Sequence, residues 1–296
     1  MLKINFVKDN LQRVDYNVAG MPIYISQIRL AVDYDLAVEC HWHDDVEFFI
    51  ITEGKLNYNI NGKIIEFKKG EGLFINSKQL HYGFSVGENL CDCICVLVHP
   101  MLLCANEYME EKFITPVINN ENLQYIFLSR DKDWAVEIFN NIYRIYQEYM
   151  QNRESSALII QSILYKIWAL IYDNLLPEVN TSQVCNYELS SLKDMINFIH
   201  KNYSENITLD DIAKAGKVCK SSCCAIFKQY LNQTTKHYII TYRLRKSMEL
   251  LENTDMSIAE IAVLTGFTGG SYYAEIFRKH YACTPSEYRA KIRKNK

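Results

Sequence analysis

Two folded parts are expected from this chain: an N-terminal all-β barrel with flanking helices, then a C-terminal all-α domain with two helix-turn-helix motifs. Three observations predict this. Between residues 21 and 98, short apolar runs are punctuated by Gly and Asn, as in antiparallel strands joined by tight turns. Beyond about Glu121 the apolar spacing lengthens to three or four residues, which marks amphipathic helices. From Leu192 onward the chain reads helical, and one segment recurs about fifty residues later.

The strands come first. Val46, Phe48, Phe49, Ile50 and Ile51 form one apolar run, and Leu56, Tyr58 and Ile60 alternate in the next. Asn61-Gly62 then favours a two-residue hairpin turn. Ile64, Ile65 and Phe67 lead through Lys69-Gly70-Glu71-Gly72 to Leu73-Phe74-Ile75. Cys91, Cys93 and Cys95 alternate, so in a strand they share one face. The chain has ten cysteines but no matched CxxC pairs; reduced thiols used as small buried hydrophobes are expected.

The helices follow. Trp134, Ile138, Ile142, Ile145 and Tyr149 share one helical face, and Ala157 to Leu175 forms a second candidate rich in Ile, Leu, Tyr and Trp. Their apolar surface suits either a dimer interface or closure of the barrel end. The polar stretch 177–187 reads as a linker. The expected organisation is thus a barrel over 1–120, a helical dimerisation or connecting segment over 121–176, the linker, and a helical domain over 188–296.

Within that last domain, Thr208-Leu-Asp-Asp211-Ile-Ala213 is echoed by Ser257-Ile-Ala-Glu260-Ile-Ala262, Phe227 by Phe277, and Tyr238 by Tyr288. Both starts are capping boxes. Each opens a short helix, a turn and a second helix that ends in Phe227-Lys228 or Phe277-Arg278-Lys279. Gly266 suits the left-handed turn of the second unit. The units are expected over about 208–230 and 257–280, with a rigid helix over about 236–252 between them. If both enter one face of a duplex, their centres lie about 34 Å apart. Charge agrees: residues 188–296 carry 17 Lys and Arg against 11 Asp and Glu, whereas the whole chain is at -3. A basic half joined to an acidic one points to a polyanionic partner for the second half alone.

These residues carry a resemblance. The run Arg243 to Ala262, then Thr265 to Tyr273 and Phe277 to Arg289, closely resembles the AraC/XylS family of bacterial transcription regulators. The resemblance implies paired helix-turn-helix units on adjacent major grooves of promoter DNA, with recognition helices over about 221–230 and 270–280. Lys220, Ser221, Ser222, Lys228 and Gln229 are the expected DNA contacts of the first unit. Ser271, Tyr272 and Tyr273 are those of the second, with Arg278 and Lys279 on phosphates. The chain departs from the family pattern at Cys219, Ala225, Gly269-Gly270 and Glu275. Asn232 and Ala282 stand where the family carries Gly.

His41-Trp-His43-Asp-Asp-Val-Glu47, followed by Gly54, Gly70 and His81, resembles the cupin fold of sensing domains in such regulators. His41, His43 and Glu47 share parity, so one extended strand would point all three inward; Trp42 would then point outward. With His81 they make three nitrogens and a carboxylate, a set suited to a divalent metal. The same residues suit a small polar effector such as a sugar, or a plain hydrogen-bonded network. No cofactor is otherwise expected. The expected protein is a cytoplasmic, ligand-responsive, homodimeric regulator, chiefly an activator of metabolic genes, with RNA polymerase as a further partner and no membrane association. The alternative is a metal-dependent cupin enzyme with a helical interaction domain.

Overall fold

The structure, a computed structural model, describes residues 14–30, 40–84, 91–120, 122–175 and 187–294. The chain divides into two compact units, Met1–Cys185 and Asn186–Lys296.

In the first unit, strands β1 (Ile23–Leu30), β2 (Val46–Glu53), β5 (Gly72–Ile75), β7 (Cys91–Val98) and β8 (Tyr125–Leu128) form one sheet in the order β1-β7-β2-β5-β8. A three-stranded sheet, β4-β3-β6, contains β3 (Lys55–Ile60), β4 (Lys63–Lys68) and β6 (His81–Phe84). All pairings are antiparallel. The β3–β4 hairpin closes through Asn61 and Gly62 at φ 49° and 90°, so both turn residues take the positive φ that this dipeptide tolerates. Between the sheets Phe49, Tyr58, Phe67, Leu73, Cys91, Cys93 and Cys95 are buried together. The cysteine alternation therefore does place all three thiols on one inner face.

Helices α1 (Asp133–Gln151) and α2 (Ser156–Leu175) cover the other face of the larger sheet. Ala135, Ile138, Ile142 and Ile145 of α1 share a buried core with Ile160, Ile163, Leu164 and Ile167 of α2 and with Phe48, Ile50 and Phe74 of the strands. Trp168 joins this core, and its indole N–H donates to Phe113 O at 3.0 Å. Each such fully buried side chain contributes roughly 1.5–3 kcal/mol, so these helices are part of the first unit's core. The segment expected to be helical from 121 also opens with a strand, because β8 pairs with β5. The expected linker lies outside the described residues except for Tyr187, which starts the next helix.

The second unit is helical throughout: α3 (Tyr187–Asn202), α4 (Leu209–Ala215), α5 (Lys220–Leu231), α6 (Thr235–Asn253), α7 (Ile258–Leu264), α8 (Gly270–Tyr281) and α9 (Pro285–Lys294). Both capping boxes form: Thr208 and Ser257 side chains accept from Asp211 N and Glu260 N, and each acid reaches back to the cap N–H. The repeat extends to the turns. Lys217 and Gly266 adopt φ 55° and 79°, and Asn232 and Ala282 close α5 and α8 at φ 53° and 55°. Phe277, Tyr273, Phe267 and Tyr288 pack with Leu244 and Met248 of α6.

Candidate functional site

His41, His43, Glu47 and His81 converge, and one ligand atom from each lies within 4.8 Å of the others. The route differs from simple strand parity. The chain bends at Asp44 and Asp45, so only Glu47 sits on β2. His41 reaches the site by a backbone bridge to His81: its N–H donates to His81 O at 3.0 Å, and its carbonyl oxygen accepts from His81 N at 2.9 Å. The bend is held by Lys78 N donating to His43 O at 2.8 Å and Ser77 Oγ donating to Asp44 O at 2.8 Å. Trp42, expected to point outward, is buried as well.

Glu47 is the hub. Its Oε2 lies 3.3 Å from His43 Nε2 and 2.9 Å from His81 Nε2. The hydroxyl of Tyr58 and the thiol of Cys95 each donate to its Oε1 at 3.4 Å. All these groups are buried. The opposite ring nitrogens are committed: His43 Nδ1 lies 2.9 Å from Asp45 O and His81 Nδ1 2.8 Å from Gln79 O. A carbonyl only accepts, so both Nδ1 atoms carry the proton and a neutral ring turns its Nε2 lone pair toward Glu47. The His81 contact is short but poorly aligned, and its buried Nε2 has no hydrogen-bond partner.

Beside the carboxylate, such lone pairs are met by a second proton on the ring or by a metal cation. The three ring centroids are 4.2, 5.0 and 5.5 Å apart, too close for three imidazolium charges to be comfortable. One divalent ion would satisfy three nitrogens and one oxygen at once. Carbonyls holding the far nitrogens are also the usual outer support of metal-binding histidines. The residues present therefore fit a metal ion. Burial pushes the Glu47 pKa up, but the two histidines outweigh it and hold the carboxyl well below its ordinary value. Sequence spacing missed Cys95 and Tyr58 as supports of Glu47; only the shared inward face of Cys91, Cys93 and Cys95 hinted at one.

The second site is the outer face of α5 and α8. Lys220, Ser221, Lys228 and Gln229 are exposed on α5, and Ser222 is half-buried. Lys220 Nζ is 3.2 Å from Asp210, and Gln229 donates to Glu188 Oε2 at 3.3 Å. Ser271, Tyr272, Arg278 and Lys279 are exposed on α8. Tyr273, expected on DNA, is instead fully buried, and its hydroxyl donates to Ser247 Oγ at 2.9 Å. It lies four residues before buried Phe277 and so shares its inward face. Cys219 stands at the start of α5 without a side-chain capping bond, and hydrogen bonds from the Ser221 and Ser222 hydroxyls, 3.0 and 3.2 Å from Sγ, bring the pKa of its thiol down to about 6.

A β-sheet unit holding this buried cluster, in one chain with a helical unit that exposes the outer faces of α5 and α8, is the two-part organisation expected of a DNA-binding transcription regulator. Family models for a helix-turn-helix domain and a cupin domain match residues 212–291 and 34–97. The chain is 32% identical over 288 residues to the uncharacterized HTH-type transcriptional regulator YdeC of Bacillus subtilis, covering 96% of this chain and 98% of that one. It is 28% identical to the HTH-type transcriptional activator RhaR of Mannheimia succiniciproducens, over 85% of this chain and 87% of that one. It is 24% identical to the melibiose operon regulatory protein of Escherichia coli, over 84% and 82%. The chain belongs to the AraC/XylS family of transcription regulators. These relatives are regulators by name, and the metal-dependent enzyme is set aside on that ground. No helix among the described residues is long and apolar enough to cross a membrane.

Proposed function

We propose that this regulator senses a small effector through His41, His43, Glu47 and His81, and converts its binding into occupancy of promoter sites. The observation that carries this reading is the buried cluster, a ligand-competent site in a chain whose other unit has two matched recognition faces. Binding shifts the population of DNA-competent arrangements. The cluster's chemistry suits a divalent ion. The melibiose operon and activator names of its relatives support a sugar-type effector and an activating role, which would bring RNA polymerase to the promoter. Ser221, Ser222, Ser271 and Tyr272 reach base edges in adjacent major grooves, and Lys220, Lys228, Arg278 and Lys279 hold phosphates. Selection from genomic fragments with purified protein, with and without divalent ions and sugars, should enrich a discrete set of promoter sites. No enrichment under any condition sinks the reading.

Lys228→Ala and Lys279→Ala should each weaken binding to most sequences alike. Each should also reduce the slope of log affinity against log salt by about 0.9. Loss confined to one base position would contradict the phosphate role.

The regulator acts as a homodimer through α1. Val136, Tyr143 and Met150 repeat every seven residues there and remain 36%, 42% and 61% exposed, beside the stripe already buried on the sheet. An antiparallel second copy pairs Val136 with Met150 and Tyr143 with itself. Tyr143→Glu should sediment as a monomer; an unchanged mass places the dimer contact elsewhere.

A further inference from the structure

One acidic side chain occupies the centre of the second recognition face. The fifty-residue repeat superposes α8 on α5 in pattern: buried Tyr273 and Phe277 match buried Cys223 and Phe227, and exposed Arg278 and Lys279 match exposed Lys228 and Gln229. In that register Glu275 takes the place of Ala225, exposed on the outer strip formed by Ser271, Tyr272, Arg278 and Lys279. It faces an open hollow of about 500 Å³ bordered by Ala274, Arg278, Lys279 and Thr284. Arg278 and Lys279 follow at three and four residues, where intrahelical ion pairs form readily. Yet among the described residues Glu275 makes no ion pair or hydrogen bond.

A carboxylate facing DNA is repelled by phosphates, so its place is over the base edges, where only amino groups offer a donor. Adenine's amino group lies between two acceptors, its own N7 and the O4 of the paired thymine. Cytosine's has a C–H on one side, which leaves a carboxylate oxygen room without a second repulsion. We propose that Glu275 is a specificity-determining residue of the second unit, its carboxylate accepting from the N4 amino group of one cytosine in the major groove. The first unit, with Ala225 at the matching position, lacks this selection. This inference rests on the DNA-binding reading above.

The test is selection from a random-sequence library with full-length wild-type, E275A and E275Q proteins, each first checked for an unchanged thermal midpoint. The wild-type motif should demand a C·G pair at one position of the half-site read by α8. E275A should lose about tenfold of selectivity there and bind other sequences no worse, whereas E275Q should turn toward adenine, which Gln can pair at N6 and N7. N4-methylcytosine at that position should weaken wild-type binding about tenfold and leave E275A unaffected. An E275A motif identical to wild type, or a change spread evenly over all positions, overturns the assignment and leaves DNA binding standing. The absence of any wild-type motif overturns both.

Discussion

Purified protein should carry about one divalent ion per chain, and the His43→Ala form should carry none. Metal analysis after incubation with divalent ions and removal of the excess measures this directly. At an ion concentration a hundred times the dissociation constant, binding stabilises the wild-type fold by about 2.7 kcal/mol, so its melting midpoint should rise and that of His43→Ala should not. Tyr58→Phe and Cys95→Ala should keep the ligands but loosen Glu47, with a loss of about 10–100-fold in metal affinity. No metal in any sample would mean the cluster is a hydrogen-bonded network or a site for an organic effector. The pH dependence separates these further. In metal-free protein, burial lowers the His43 pKa, but Glu47 outweighs it and leaves it above its ordinary 6.5. That stabilisation is complete below about pH 6.5 and fades as pH rises through the raised value. Glu47, held below its ordinary 4.5, contributes above that value and loses its contribution as pH falls through the lowered one. A metal ion needs unprotonated Nε2 atoms, so its binding strengthens as pH rises. Melts with and without ion should therefore diverge on the alkaline side.

Gly266→Ala should be the most damaging small change in the DNA-binding unit. Gly266 sits at φ +79°, and an added Cβ would lie 2.5 Å from Tyr203 O and 2.9 Å from Arg243 Nε. That carbonyl cannot simply retreat, because Arg243 Nε donates to it at 2.7 Å while the same guanidinium donates to Glu205 O at 2.7 Å. The substitution thus adds backbone strain to a clash that breaks a half-buried contact between α6 and the turn after α3. A loss of about 2–4 kcal/mol is expected, with DNA binding falling alongside because the turn aims α8. Gly269→Ala and Gly270→Ala are the controls. Nothing lies within 4 Å of a Cβ at Gly269, and at Gly270 the nearest atom is Ala259 Cα at 3.7 Å. Both should stay within about 0.5 kcal/mol of wild type. Equal losses at 266 and 270 would show that the damage comes from helix start chemistry, and the steric account would fail.

Glycine pairs and an unusual acid look alike as departures from a family pattern, yet they differ in what surrounds them. A Cβ at Gly269 would meet open space and one at Gly270 only ordinary contact with Ala259, while one at Gly266 would clash with the Tyr203 carbonyl and the Arg243 guanidinium. The same contrast holds for Tyr272 and Tyr273. Both were expected on DNA, but only Tyr272 is exposed, because Tyr273 shares a helix face with Phe277.

The amino-acid sequence by itself determined the hairpin at Asn61-Gly62, both capping boxes, the repeat and the choice of His41, His43, Glu47 and His81. The hairpin, the capping boxes and the His41–Glu47 stretch depend on residue type at short spacing, where local geometry decides, whereas the repeat and His81 are legible as motifs rather than as local periods. Only the tertiary structure decided that α1 and α2 cover the larger sheet, and that Glu47 is held by Tyr58 and Cys95. Those supports lie 11 and 48 residues away in the chain. They meet Glu47 because separate strands bring their inward faces together, and no local period records which inward side chains become neighbours.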